Sequence, residues 1–522
     1  MEGKEKSILN LRKNIISWYP FDKDSTILEI NGNCKEITEI LEENSSKLLS
    51  IDIKDIEKID IIEKFDYIVL IGLEKIDRNW TEILKTTNNL LKPNGKLLVA
   101  MDNKYSLKNF SSKEGIERIL DKNVNEIKID EFIEQIKETG FNNYKIYYPI
   151  TDYKYPNAIF ADNDELYKNI TSRNIVYNSE ENIKFFEENK LMMKLLEDTI
   201  DFRYFANSFF IEIFKGDFTD NEIKLITFSN IRKNKYKIRT IVKNDFVYKY
   251  ADNQESKNHI EQVKKNIDIL NKYKLNTLDS YDKDKIISRY VENDTFEIAL
   301  VNTIKENKDK AIELIKKYKE KLEKSLEKEN TKENVFDRYS IKYNEEIIKD
   351  MKFTKYGLWD LTFQNCFYID NDFYFYDQEW LEEDIPIEFI IYRAIKYCID
   401  IRNYVDIEEL YNILDINKNQ IEIFDQLDDI IQEKYRDNDV WQLQKNGKMV
   451  DEMQIEIYTK NHEINLLSAE IERKNGEIER KNMEIENLKT EYEKIANNLQ
   501  IIYNSKSWKM LEPFRKIRKL IK

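Results

Sequence analysis

Four side chains beyond residue 240 have the types and spacing that phosphoryl transfer needs. Asp360 and Asn365 lie five residues apart in LWDLTFQNCF, and Asp377 follows a strand-like hairpin in FYFYDQEW, two residues before Glu379. Moving a phosphoryl group asks for a carboxylate to receive or orient the acceptor hydroxyl, oxygen ligands for magnesium, and a cation for the nucleotide phosphates. Asp360 fits the first role, Asn365 with Asp377 the second, and Lys249 in the strand-like FVYKYA the third. The competing reading makes them loop and turn residues of a fold used only for binding. Glu379 either steadies Asp377 or the metal or faces solvent, and Arg393 is expected to pair within a helical lobe.

A second constellation lies near the N-terminus. DSTILEINGNCKEIT runs from an apolar strand into a helix, so Glu29, Asn31, Gly32, Asn33 and Lys35 form the first strand-to-helix loop, and Asp52 ends the next strand, KLLSIDI. In parallel sheets ligands sit beyond the carboxyl ends of the strands, which is where this loop and Asp52 fall. Only 10 Gly are present, so Asn must fill many left-handed positions. Asp66 either supports this loop or starts its own strand, and Asn103, Tyr105 and Asp152 are candidates to face an acceptor. The two histidines, His259 and His462, are expected on helix surfaces, which leaves no material for a Ser-His-Asp or His-metal mechanism. Cys34, Cys366 and Cys398 show neither metal nor redox spacing.

The elements that must position these residues can be read from the pattern. Short apolar runs separated by polar helical stretches predict a Rossmann-like α/β domain with a parallel sheet over residues 1–218. FSNIRKNKYKIRTIVKNDFVYKYA predicts strands, followed by a helix through ESKNHIEQVKKNIDILNKY, opening an α+β domain over 219–415. Residues 416–440 are read as a linker. From Ile457 through Ile464, Ile471, Ile478, Ile485 and Tyr492 to Leu499 an apolar residue recurs every seven, predicting a coiled coil over 441–504 that makes the protein a homo-oligomer, a dimer on the evidence of Asn at neighbouring seam positions. Its alternative is a lone amphipathic helix. The tail 505–522 carries Lys506, Lys509, Arg515, Lys516, Arg518, Lys519 and Lys522 against Glu512, with apolar residues at near-helical spacing, which suits an anionic membrane surface or a docking partner.

The first domain resembles class I S-adenosylmethionine-dependent methyltransferases, and MDNKYSLKNF, YYPITDYKYPNAIFAD and FANSFFIEI resemble methyltransferases of bacterial surface-polysaccharide clusters. That resemblance implies S-adenosylmethionine binding by the Glu29 to Lys35 loop, with Asp52 on the ribose. Asn31, Asn33 and Lys35 stand where the family has Gly. The D-x-x-x-x-N and D-x-E spacing resembles small-molecule kinases of the aminoglycoside-phosphotransferase and choline-kinase type, which implies ATP and magnesium. Here Leu358 replaces their His and no Gly-rich loop is seen around 228–243. WLEEDIPIEFIIYRAIKYC is similar to the kinase-like part of the surface-glycan methyltransferases. The domain order resembles that of O-antigen chain-terminating methyltransferase-kinases and implies a glycan acceptor, with glycosyltransferases as partners. The alternative is a catalytically silent scaffold of a glycan-assembly complex.

Composition bounds these readings. With 522 residues the chain exceeds one core, and a net charge of -15 argues against a nucleic-acid partner. No apolar run reaches the roughly 20 residues of a membrane span, so a cytoplasmic protein is expected, peripheral at the inner membrane face through its tail.

Overall fold

The computed structural model describes residues 11–30, 34–58, 63–72, 79–121, 127–162, 183–186, 191–192, 195, 202–326, 333–438 and 448–520. They fall into two compact units, Met1–Gly447 and Lys448–Lys522.

The first unit begins with β1 (Thr26–Ile30), β2 (Lys47–Ile51), β3 (Phe65–Ile71) and β4 (Leu91–Asp102). β2, β1, β3 and β4 are neighbours in that order and run parallel. Such strands are covered on both faces and so read as unbroken apolar runs. Leu28, Ile30, Ile68 and Leu70 fill one face, and Ile27, Val69 and Leu98 the other. The connecting helices bury narrow stripes: Ile37 and Leu41 in Lys35–Glu43, and Trp80, Ile83 and Leu84 in Trp80–Leu90, where Asn79 caps the first turn by accepting from Thr81 N at 2.8 Å. Among the described residues no strand lies between β2 and β3.

Beyond β4 the direction reverses. β5 (Asn143–Ile150), β6 (Ala158–Ala161), the two-residue β7 (Ile183–Lys184) and β8 (Ser208–Phe214) follow in the chain. β8, buried along its whole length, inserts antiparallel between β4 and β5, and β6 pairs with β5. The sheet does not stop there. β9 (Ile223–Phe228) pairs with β6 and carries the sheet through β10 (Ile238–Lys243) and β11 (Phe246–Ala251); past the two-residue β12 (Asn276–Thr277), β13 (Asp279–Asp282) and β14 (Lys285–Arg289) close its far edge. The order is β13-β14-β11-β10-β9-β6-β5-β8-β4-β3-β1-β2, one sheet of twelve strands. The expected border at 218/219 is therefore a turn between two strands of a continuous sheet.

The helix Lys257–Lys272 crosses between β11 and β13, packing Ile260, Val263 and Ile267 on Ile238 and Ile286. A helical lobe follows, holding β15 (Phe353–Gly357), β16 (Cys366–Ile369), β17 (Asp372–Phe375) and β18 (Glu382–Pro386). The linker expected over 416–440 is corrected here. Residues 418–435 form the helix Lys418–Tyr435, opened by an Asn417/Gln420 capping box, and Ile423, Phe424, Leu427 and Ile431 belong to the lobe's core with Phe389 and Tyr392.

In the second unit Val450–Asn504 is one helix of 55 residues. Ile464, Ile471, Ile478, Ile485, Tyr492 and Leu499 of the heptad column are exposed. Shorter helices, Lys506–Met510 and Glu512–Leu520, end the unit, with the Arg515 guanidinium 3.2 Å above the Trp508 ring. No helix of the described residues is long and apolar enough to cross a membrane.

Candidate functional site

Parallel pairing places Glu29 opposite Ser50, so Glu29 and Asp52 come to the adjacent carboxyl ends of β1 and β2. Glu29 is buried, and both its oxygens accept from the Thr38 hydroxyl at 3.0 Å. Burial raises its carboxyl above the ordinary value, against the hydrogen bonds of Ser50 and Thr38. Asp52 is exposed. Its Oδ1 accepts from Lys54 N at 2.9 Å, and its Oδ2 has no partner among the described residues. A free carboxylate oxygen at a strand's end fits a ligand's hydroxyls. Asn31, Gly32 and Asn33 lie outside the described residues, whereas Lys35 opens the following helix and pairs with Glu39 at 3.3 Å. Gly72, just past β3, has φ +79°, a conformation strained for any side chain, and a Cβ there would lie 3.2 Å from the Tyr153 hydroxyl and push it aside.

Asp66 resolves as a strand-start residue. It accepts from Thr26 N at 2.7 Å and pairs with Lys92 at 2.7 Å, at the amino end of the strands, opposite the candidate site. Burial opposes its ionisation, but Lys92 and Thr26 outweigh it and lower its pKa.

At the carboxyl end of β4 the sequence reading missed a charge cluster. Lys108, 5% exposed, lies 3.3 Å from Asp102 and 3.1 Å from Asp152, and Lys154 lies 3.3 Å from Asp102. Burial raises and the two ammonium groups lower the Asp102 pKa, with the net shift downward. Asp152, a candidate to face an acceptor, is buried here against Lys108, and that partner carries no sequence signal. Asn103 is committed to structure: its amide donates to the carbonyls of Tyr204 and Ala206, each at 2.8 Å.

The second set gathers between the β9–β14 sheet segment and the helical lobe. Lys249, on the third strand of that segment, is buried and contacts Asp377 directly and Glu379 at 3.2 Å. Glu379 is not at the surface. It also binds Arg232 directly and lies 3.4 Å from His259 Nε2. Burial opposes ionisation, yet Arg232, Lys249 and His259 hold the Glu379 carboxyl well below the usual range. His259 corrects a second expectation: it is buried and stacks on Trp380 with ring centroids 4.6 Å apart. Helix Lys257–Lys272 turns this position inward on the same stripe as Val263 and Ile267.

Asp360 and Asn365 meet: Asn365 Nδ2 donates to Asp360 Oδ2 at 3.1 Å. Burial raises the Asp360 carboxyl, opposed by Arg393, whose guanidinium lies 3.6 Å away. Arg393 is buried in the lobe as expected, paired with Asp428 and donating to Trp359 O at 3.0 Å. Asp377 has φ +60°, a conformation uncommon for a residue with a side chain, and its N–H donates to Asp279 Oδ2 at 2.8 Å. Asp279 and Arg232 had no sequence signal. Asp377 with the Asn365 amide oxygen is a donor set of the kind magnesium takes together with phosphate oxygens; no group of three or more His, Cys, Asp or Glu suited to a metal occurs among the described residues.

In place of glycines the loop between β9 and β10 carries basic residues that fasten it down. Lys233 Nζ donates to the carbonyls of Glu433 at 3.1 Å and Lys434 at 3.0 Å, Lys233 N to Tyr435 O at 2.9 Å, and Asp437 N to Ile231 O at 2.7 Å. Tyr236 packs on Trp380 and Tyr435 at 5.4 and 4.9 Å.

No family model and no curated protein matches the chain. Among solved structures it is similar to an S-adenosylmethionine-dependent methyltransferase from Thermotoga maritima at 13% identity, over 41% of this chain and 90% of that one, with a TM-score of 0.24. A methyltransferase from Archaeoglobus fulgidus shares 16% identity over 40% and 94%, with a TM-score of 0.25. The phosphoethanolamine N-methyltransferase 2 of Haemonchus contortus, in complex with S-adenosyl-L-methionine, shares 14% over 40% and 53%, with a TM-score of 0.24. At these scores the strand order and the side-chain geometry carry the argument.

Proposed function

We propose that this protein is an S-adenosylmethionine-dependent methyltransferase acting on a glycan, with a kinase-like second part. The observation that carries the reading is the sheet: β2, β1, β3 and β4 parallel, then a lone antiparallel insertion of β8 before β5, with Glu29 and Asp52 at the adjacent carboxyl ends of β1 and β2. Asp52 Oδ2 would take the ribose hydroxyls, and Glu29 would hold the helix that follows the first loop through Thr38. When bound, the cofactor supplies the methyl group. The chain's part is alignment of the acceptor for in-line displacement, where proximity supplies much of the rate. The fixed charges of Asp102, Lys108, Asp152 and Lys154 lie at the end of β4, where an acceptor would enter. In the second part Asn365 and Asp377 would hold magnesium, Lys249 the nucleotide phosphates, and Asp360 an acceptor hydroxyl.

A second reading is favoured by the fastened β9–β10 loop and by Lys249, which already faces two carboxylates: this part is a binding module that holds the glycan or a glycosyltransferase without phosphoryl transfer. The exposed heptad column supports assembly with a second copy, and the basic helix Glu512–Leu520 supports adsorption to anionic lipid. Calorimetry of the full chain with S-adenosylmethionine and, separately, with magnesium-ATP tests both readings. Heat with the first alone leaves a methyltransferase with a silent second part, and heat with neither leaves a scaffold.

A further inference from the structure

The helical lobe contains a cavity of about 490 Å³ between the helices Ile387–Lys396, Ile407–Ile413 and Lys418–Tyr435, within the size range of small-molecule sites. It is open to solvent on one side, and its charged lining, exposed except for the half-buried Lys396, is balanced: Lys396, Arg402 and Lys418 against Glu408, Glu422 and Asp425. Only one opposite pair among these six is joined. Lys396 Nζ lies 2.8 Å from Asp425, which also accepts from the Tyr392 hydroxyl. Glu408, Glu422 and Lys418 make no ion pair among the described residues, and the Arg402 guanidinium gives one hydrogen bond, to Lys396 O at 3.2 Å. Ile407 and Ile421 contribute apolar walls, and the exposed amide of Asn412 adds a donor and an acceptor at the mouth.

This lining selects against charge. A nucleotide or phosphate would meet three carboxylates, and a cation would meet three basic groups. A hydroxyl both donates and accepts, so a polyhydroxylated neutral molecule can use cations, carboxylates and the amide alike, while its C–H face rests on the isoleucines. We propose that this cavity binds an uncharged saccharide, as a holding site for the glycan apart from the site where it reacts. The buried pair Arg393–Asp428 separates it from Asp360, with Lys396 lying 2.9 Å from Asp428 on the cavity side and Arg393 lying 3.6 Å from Asp360 on the other. The inference rests on the glycan reading for its purpose, but saccharide binding is measured without S-adenosylmethionine or ATP, so the two fail independently.

The test is saturation-transfer NMR on the full chain with galactose, rhamnose, N-acetylglucosamine, lactose and chitobiose, with ATP and inorganic phosphate as charged probes. At least one sugar should receive saturation at about 10 mM, the regime of weak single-ring binding. Asp425→Asn, which keeps the side-chain shape, and Asn412→Trp, which fills the mouth, should each weaken that sugar by about 10-fold or more through lost hydrogen bonds or lost space. Glu313→Gln, exposed on the helix Lys308–Ser325 and outside both candidate sites, should leave it unchanged. Three outcomes overturn the proposal: no sugar binds, the bound sugar ignores both cavity variants while their melting matches wild type, or phosphate rather than sugar is lost in them.

Discussion

Glu379 is the test of how the centre around Lys249 is held together. Glu379→Ala removes a buried carboxylate from Arg232, Lys249 and His259 at once. Breaking one side of a buried ion pair costs about 3 to 5 kcal/mol when the remaining charge stays uncompensated. Two features put the loss at the low end, about 3 kcal/mol: Lys249 keeps Asp377, and the Arg232 side chain, 24% exposed, can turn to water. With an unfolding entropy of about 2.1 cal/mol/K per residue, the unit Met1–Gly447 has about 0.9 kcal/mol/K, so its melting point should fall by about 3 °C. The decisive measurement is a double-mutant cycle with Arg232→Ala by differential scanning calorimetry. Because the two groups touch, the double variant should lose less than the sum of the singles, with a coupling of about 1 to 3 kcal/mol. Single losses that add to within about 0.5 kcal/mol would show that the pair contributes nothing, and the claim that Glu379 organises the site would fall.

Asp52→Ala should weaken S-adenosylmethionine by about 1 to 3 kcal/mol in calorimetry, and unchanged affinity removes Asp52 from the site. Asn230 donates to Pro156 O and Asn157 Oδ1 and accepts from Asn14, all buried, so Asn230→Ala should cost about 2 kcal/mol in chemical denaturation; no loss would mean the network rearranges freely. Light scattering should give a dimer for the full chain and a monomer for residues 1–447, and a full-length monomer ends the coiled-coil reading. For Asp360 the folded pKa is raised, so the folded state binds the proton more tightly than the unfolded chain. Its contribution to stability is present at acid pH and is lost as pH rises from the ordinary carboxyl value through the raised one. Asp360→Asn should therefore unfold at higher urea than wild type at pH 7, with the gap closing on acidification; a gap independent of pH refutes the assignment.

What the sequence made legible was periodic or local. Parallel strands buried on both faces announce themselves as apolar runs, so β1, β3 and β4 could be read directly, while the half-exposed edge strand β2 and the carboxyl-end positions of Glu29 and Asp52 followed from the alternation of strands and helices. His259 shares a helix stripe with Val263 and Ile267 at i+4 and i+8, so its inward position was legible and was missed, whereas its partners Trp380 and Glu379, about 120 residues on, were not. Lys108 is the same case: a buried ammonium needs carboxylates from two strand ends, one of them 44 residues away. The helix at 418–435 was legible and was missed: Phe424, Leu427 and Ile431 recur at three- and four-residue spacing inside the stretch read as a linker.

Domains joined by a flexible segment are expected to move against one another. Here main-chain pairing of β6 with β9 passes the sheet from one part to the other, and Arg239 bonding to Ser17 O and Lys13 to Asp252 tie the same border from a different face. Opening that border would break ladder hydrogen bonds and expose Ile159 and Ile226, both fully buried there. The candidate methyl-transfer end at Glu29 and Asp52 and the centre around Lys249 therefore keep a fixed separation. If one acceptor visits both, it is the acceptor that moves, and a long flexible glycan held elsewhere on the protein can do this where a small free substrate would be released between steps.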